Sequence, residues 1–209
     1  MVGSMTQRSK MNPLSRKSFC LGSVLWLGLG FFLVAGSLDD AWQAMQASMS
    51  RLHRVVLPNG MIALIQEDHS APVVSIQVWV GSGSIHEEDR LGGGLSHLIE
   101  HMIFKGTPTR KPGDISRSID EAGGSINAYT GLDRTVFHTE LPSRHWKIGW
   151  DVLFDAVFNA SFPEAEYAKE KEVILREMAM GHDDPDRVHN EILWRTAFRQ
   201  HPYRHPVIG

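Results

Sequence analysis

His97-Leu98-Ile99-Glu100-His101 constrains this chain more than any other stretch, because its chemistry works only on a helix. At about 100° per residue, two imidazoles four apart sit one turn from each other on one face and can grip a single ion. Glu100, three residues after His97, falls on the same face, beside such an ion without having to bind it. Neutral imidazole is a good zinc ligand, and a catalytic zinc keeps three protein ligands and an open position for water. A carboxylate next to that water can take its proton and later hand it to a leaving amine. The third ligand is expected to be a carboxylate on another helix. The helix predicted after Pro163 carries Glu164, Glu166, Glu170, Glu172 and Glu177. Glu170 and Glu177, seven apart, share a face; Glu164, Glu166 and Glu172 read as solvated surface. Glu177 lies at the margin of a side buried through Val173, Ile174 and Met178.

The rest of the body reads as strands and helices that could hold such a site. Pro58-Asn59-Gly60 between two apolar runs predicts strand, tight turn, strand. Val73 to Val80 alternates as a further strand with Val74, Ile76, Val78 and Val80 on its apolar face. Gly92-Gly93-Gly94 opens the helix that carries the histidines. Asp114 is expected to cap a short helix ended by Gly123-Gly124. Residues 125–130 and 135–141 flank a hairpin signal at 131–134, and helices follow at 146–160, from Pro163 and from Pro185. Antiparallel strands with helices packed on one side predict an α+β domain. The chain breaks off in an apolar run, so the domain is expected to be incomplete at its C-terminal end.

A basic stretch to Lys17 precedes Phe19 to Ala35, an uncharged apolar run. This is the layout of a signal peptide, or of a membrane anchor over residues 19–35, within residues 1–37, followed by a linker over 38–51 that also reads as a weak helix. The expected location is the bacterial periplasm or the outer face of the inner membrane, with an organellar transit peptide as the alternative. Residues 1–36 hold four basic residues and no acidic one, which leaves 17 basic against 24 acidic residues in the remainder. A body with a net charge of −7 excludes nucleic acid as an expected partner. With 42% hydrophobic residues the body can bury one sizeable core, and the lone Cys20 excludes an intrachain disulfide.

The stretch GGGLSHLIEHMIFKGT resembles the zinc signature of the pitrilysin/insulinase-like (M16) metallopeptidases. In that family a glutamate ligand follows in a segment like KEKEVILREM, and here Glu177 stands 76 residues after His101. GSINAYT with Asp133 and Thr135, LPNGMIALI and HPYRHPVIG fit as well, so the resemblance covers residues 52–209. It implies His97, His101 and Glu177 on Zn2+, Glu100 as general base, and Glu170 orienting a ligand from behind. It also implies that Asn127, Ala128 and Tyr129 lie on an edge strand that pairs with an extended substrate. The function implied is zinc-dependent endopeptidase action on peptides or unfolded segments, with a second such domain or subunit as partner. A non-catalytic peptide-binding subunit of the same family is the alternative, and a purely structural zinc domain a third.

Overall fold

A computed structural model describes residues 38–47 and 49–209 of the chain. The signal or anchor expected over 1–37 lies outside the described residues. Among the described residues no helix is long and apolar enough to cross a membrane. The chain divides into two compact units, Met1–His69 and Ser70–Gly209.

In the first unit, residues 38–47 are helical, where the sequence reads as a linker or weak helix. They are followed by an antiparallel hairpin of β1 (Leu52–Val56) and β2 (Ile62–Gln66), with Leu52 opposite Gln66 and Val56 opposite Ile62. The turn closes as its residues dictate. Gly60 N–H donates to the Leu57 carbonyl, and Asn59 Oδ1 accepts from Met61 N–H at 3.1 Å, the local bond that makes asparagine a turn residue.

The second unit is built on a three-stranded antiparallel sheet of β3 (Val73–Val80), β4 (Ser125–Thr130) and β5 (Thr135–Pro142), in the order β3-β5-β4. The register lines up Ile76, Thr139 and Ile126 across the three strands, and Val78, Phe137 and Ala128 in the next row. Alternation sends these rows to one face, where the helices cover them. Thr139 is fully buried, and its hydroxyl is satisfied by donating to the Ser125 carbonyl at 2.8 Å. Val80, at the strand end, stays exposed although its spacing places it on the apolar face.

Five helices complete the unit: α1 (Leu95–Ile103), α2 (Asp114–Glu121), α3 (Trp146–Asn159), α4 (Glu164–His182) and α5 (Pro185–Ala197). Ile103, Ile115, Ile119, Phe137, Val152, Leu153 and Ala156 form the core, with Ile76, Val78, Ile126 and Ala128 packed against it. Burying one such side chain is worth about 1.5–3 kcal/mol, so this cluster fixes α2 and α3 on the sheet. The mixed architecture is the expected α+β one. Asp114 does not cap α2: Gly113 occupies that position at φ 88°, and Asp114 is the first helical residue, its carboxylate accepting from Lys111 N–H at 2.9 Å.

Candidate metal centre

α1 and α4 pack against each other, and α1 also rests on β4, so their facing residues converge at the end of the sheet. Helix α1 begins at Gly94, and its second residue, Ser96, donates its N–H to Glu87 Oε1 at 2.8 Å. That buried carboxylate satisfies an orphan helix N–H and suits the positive end of the helix. The glycine run has a physical reason as well. A Cβ on Gly94 would lie 2.1 Å from the Ile208 carbonyl oxygen, so residues near 208 pass over the helix start at a distance only glycine allows.

One turn along, the His97 and His101 rings stand 4.7 Å apart at 68° to each other. Glu177 reaches them from α4, with Oε2 3.9 Å from His97 Nε2 and 3.6 Å from His101 Nε2. One ligand atom from each of the three residues lies within 4.8 Å of the others. A tetrahedral ion with ligands about 2.1 Å away needs donors only about 3.4 Å apart, so a small closure suffices.

Glu170, two turns before Glu177, holds the back of the site. Its Oε2 lies 3.0 Å from His101 Nδ1, and its Oε1 lies 2.7 Å from Lys105 Nζ. Burial pushes the Glu170 carboxyl up, but the hydrogen bonds from Lys105 and His101 outweigh it and hold the group below its ordinary value. With Nδ1–H donated to this carboxylate, His101 turns a free Nε2 towards Glu177, the tautomer a metal requires. The neutral form of His97 is favoured by its surroundings. Burial lowers its pKa first, the neighbouring His101 and Arg187 add to that, and Glu100 and Glu177 oppose it. Two imidazoles and a carboxylate form a donor set that fits zinc.

Glu100 shares the cleft with His97 and Glu177. It is not among the three clustered donors; its Oε2 accepts instead from Thr130 Oγ1 at the end of β4. The cleft has a volume of about 760 Å³. Ala128, Tyr129 and Thr130 line it, whereas Asn127 does not and hydrogen-bonds its own strand through Ala128 N–H. Among the described residues β4 pairs only with β5, which leaves its other edge open. Of the glutamates read as solvated surface, Glu164 and Glu172 are exposed; Glu166 is half-buried and pairs with Lys169 at 2.6 Å.

Sequence reasoning missed Lys105, Thr130, Arg187 and Tyr203. Lys105 is the one with a signal, four residues past His101 and hence one turn on, although it lies just beyond the end of α1. Thr130 and Arg187 come from other elements with no fixed spacing. Tyr203 donates its hydroxyl to Asp133 at 2.9 Å, a tie across 70 residues between the wall of the cleft and the turn after β4.

Two imidazoles and a carboxylate that could hold a metal ion, with a further carboxylate beside them, form the kind of donor set found in zinc sites. The sequence profile of the Insulinase (Peptidase family M16) family matches residues 62–209, and the chain belongs to that family. It is 34% identical over 158 residues to the uncharacterized zinc protease YmxG of Bacillus subtilis, covering 76% of this chain and 38% of that protein. It is 35% identical over 153 residues to a probable mitochondrial-processing peptidase subunit beta of Arabidopsis thaliana, covering 73% and 29%. A crystal structure of a protease from Helicobacter pylori superposes with a TM-score of 0.70 at 25% identity, over 76% of this chain and 38% of the other. The chain thus spans under two fifths of the length of these relatives. Zinc is the cofactor of the family, and the donors described above suit it.

Proposed function

We propose that this chain carries the metal-binding half of a zinc endopeptidase that cleaves peptides or unfolded segments of polypeptide. The observation that supports it best is the convergence of His97, His101 and Glu177 within 4.8 Å, beside a cleft lined by His97, Glu177, Glu100 and the end of β4.

Each residue then has a task. His97, His101 and Glu177 hold the ion, with Glu170 and Lys105 fixing the ring of His101 from behind. An ion held there would supply Lewis acidity, which lowers the pKa of water and polarises carbonyl oxygens. Glu100 takes the proton of the attacking water onto its carboxylate and returns it to the leaving amine. Thr130 keeps that carboxylate aimed by donating to one oxygen and leaving the other free. The open edge of β4 receives the main chain of an extended peptide as an added strand, near Ala128 and Tyr129 and with Asn127 one residue further along. Main-chain pairing of this kind reads backbone more than side chains, which suits a wide range of unfolded substrates.

A second domain or subunit of the same family completes the substrate chamber, in keeping with a chain that spans 38% of its bacterial relative. Residues 1–37 direct the body to an exported location, by cleavage or by anchoring through 19–35.

Zinc content of the purified chain, determined by elemental analysis beside a Glu177→Gln variant, tests the reading. About one zinc per chain, sharply reduced in the variant, is expected. A folded chain without zinc overturns the peptidase reading. Zinc and peptide binding without cleavage by the full-length protein would instead favour a non-catalytic peptide-binding subunit.

A further inference from the structure

The cleft has a wall that the metal chemistry leaves unused. Helix α5 starts at Asp184, whose carboxylate accepts the N–H groups of Asp186 at 3.0 Å and Arg187 at 3.4 Å, with Pro185 at the first helical position. This cap fixes the first turn of α5, and the Arg187 side chain runs back across the end of α4. There it fills a gap that only glycine leaves. A Cβ on Gly181 would lie 2.6 Å from Arg187 Nη1 and 2.7 Å from its Cζ. Gly181 stands four residues after Glu177, so the guanidinium is seated one helical turn from the carboxylate that faces the two imidazoles.

The charge of Arg187 is only loosely engaged. Its one ion pair among the described residues runs from Nε to Glu191 Oε1 at 3.5 Å, between side chains 38% and 34% exposed. Such a pair is worth under about 1 kcal/mol and leaves the Nη edge available. The other arginine of the lining, Arg204, donates from Nη1 to the Arg199 carbonyl oxygen. Of the four carboxylates in the wall, Glu191 pairs with Arg187, Asp184 caps α5, and Glu100 and Glu177 lie on the side of the two imidazoles. Met180 and Trp194 line the same cleft as Arg187. A guanidinium fork held in place in this cleft is suited to a planar, two-oxygen anion.

We infer that Arg187 is a specificity residue that takes a carboxylate of the substrate, favouring peptides with an acidic group close to the bond held at the metal. This rests on the peptidase reading of the same cleft. The carboxylate can come from an acidic side chain or from the end of the peptide, and both offer the same two oxygens.

Peptide affinity, read by fluorescence anisotropy on the zinc-loaded chain, tests it; a Glu100→Gln background stops cleavage during the measurement. The labelled peptides share one Gly/Ala/Ser frame, amidated at the C-terminus, and differ in carrying Glu, Gln or Lys. A further Gln peptide keeps its free C-terminal carboxylate. The Glu peptide is expected to bind about tenfold tighter than the amidated Gln peptide, in the range of a charge-assisted pair. Arg187→Gln removes that advantage without weakening the Gln peptide, and Arg187→Lys restores part of it. Gly181→Val, which fills the seat of the guanidinium, acts in the same direction. An advantage confined to the free C-terminus and lost in Arg187→Gln supports the same recognition and assigns it to a chain end. Equal binding of all peptides, tighter binding of the Lys peptide, no binding at all, or an acidic preference that survives Arg187→Gln overturns it. Zinc content separates the two readings. A chain without zinc defeats the peptidase reading, while the Glu and Gln peptides on the zinc-free chain still decide the role of Arg187.

Discussion

Glu170 Oε2 and His101 Nδ1 meet at 3.0 Å across the packed faces of α1 and α4, and the same carboxylate receives Lys105 through its other oxygen. The carboxylate is thereby kept charged although buried, and the imidazole is locked with Nε2 free. Replacing Glu170 by Gln preserves the shape but weakens both bonds. Zinc affinity, measured by competition with a chromogenic chelator, is expected to fall about 10- to 100-fold, the usual cost of losing such an outer partner. An unchanged affinity would show that the ring of His101 is held by packing alone.

In the proposed mechanism Glu100 and Thr130 serve the proton transfer and leave metal binding to the three clustered donors. Glu100→Gln is expected to keep zinc near the wild-type level while abolishing peptide hydrolysis by the full-length protein, because it removes the base and none of the clustered donors. Thr130→Val takes away only the hydrogen bond that aims Glu100. A fall in kcat of about tenfold with little change in KM is the expected result, the pattern of an interaction made in the transition state. A zinc content that falls with Glu100→Gln would place that carboxylate on the metal instead.

Much of this site is legible in the sequence because helical period is rigid. Four residues set His97 against His101, and seven set Glu170 against Glu177, so each pair shares a face before any tertiary contact is known. The inward face of β3 likewise follows from alternation, with Val80 displaced only because it ends its strand. Partners drawn from different elements are another matter. Thr130 meets Glu100 across 30 residues and Tyr203 meets Asp133 across 70, and no local spacing encodes either. Asp114 shows the limit at close range. Aspartate is a favoured cap, yet Gly113 takes the position because the turn from Lys111 needs a positive φ that aspartate adopts less easily.

Asp155 gives a pH dependence of known sign. Burial would raise its carboxyl, but hydrogen bonds from Thr107, Asn159, Arg110 and Thr109 prevail and lower it from 3.8 to about 2. A carboxyl depressed on folding contributes stability above its unfolded value and loses it as pH falls through the folded one. The window here is therefore pH 3.8 down to about 2. Above it the contribution is on the order of 2 kcal/mol. Urea unfolding of the zinc-free chain beside Asp155→Asn should show that advantage at pH 5 and its decline through this window. A difference that does not change with pH would mean that shape, not charge, ties the loop around Thr107 to α3.

Gly94 and Gly113 both begin a helix with a positive φ, at 72° and 88°, and differ in what surrounds them. An alanine at either must adopt the left-handed region, at about 1–2 kcal/mol. At Gly113 nothing lies within 4 Å of the added Cβ, so that strain is the whole expected cost. At Gly94 the Cβ would also fall 2.1 Å from the Ile208 carbonyl oxygen, and backbone has to move to admit it. Gly94→Ala should therefore cost clearly more in urea unfolding than Gly113→Ala. It should also weaken zinc binding, because the shifted turn is the one that carries His97, whereas Gly113→Ala should leave zinc untouched. Equal costs and unchanged zinc in both variants would mean that the segment near 208 yields freely, and that the start of α1 is positioned by the bond from Ser96 to Glu87 without it.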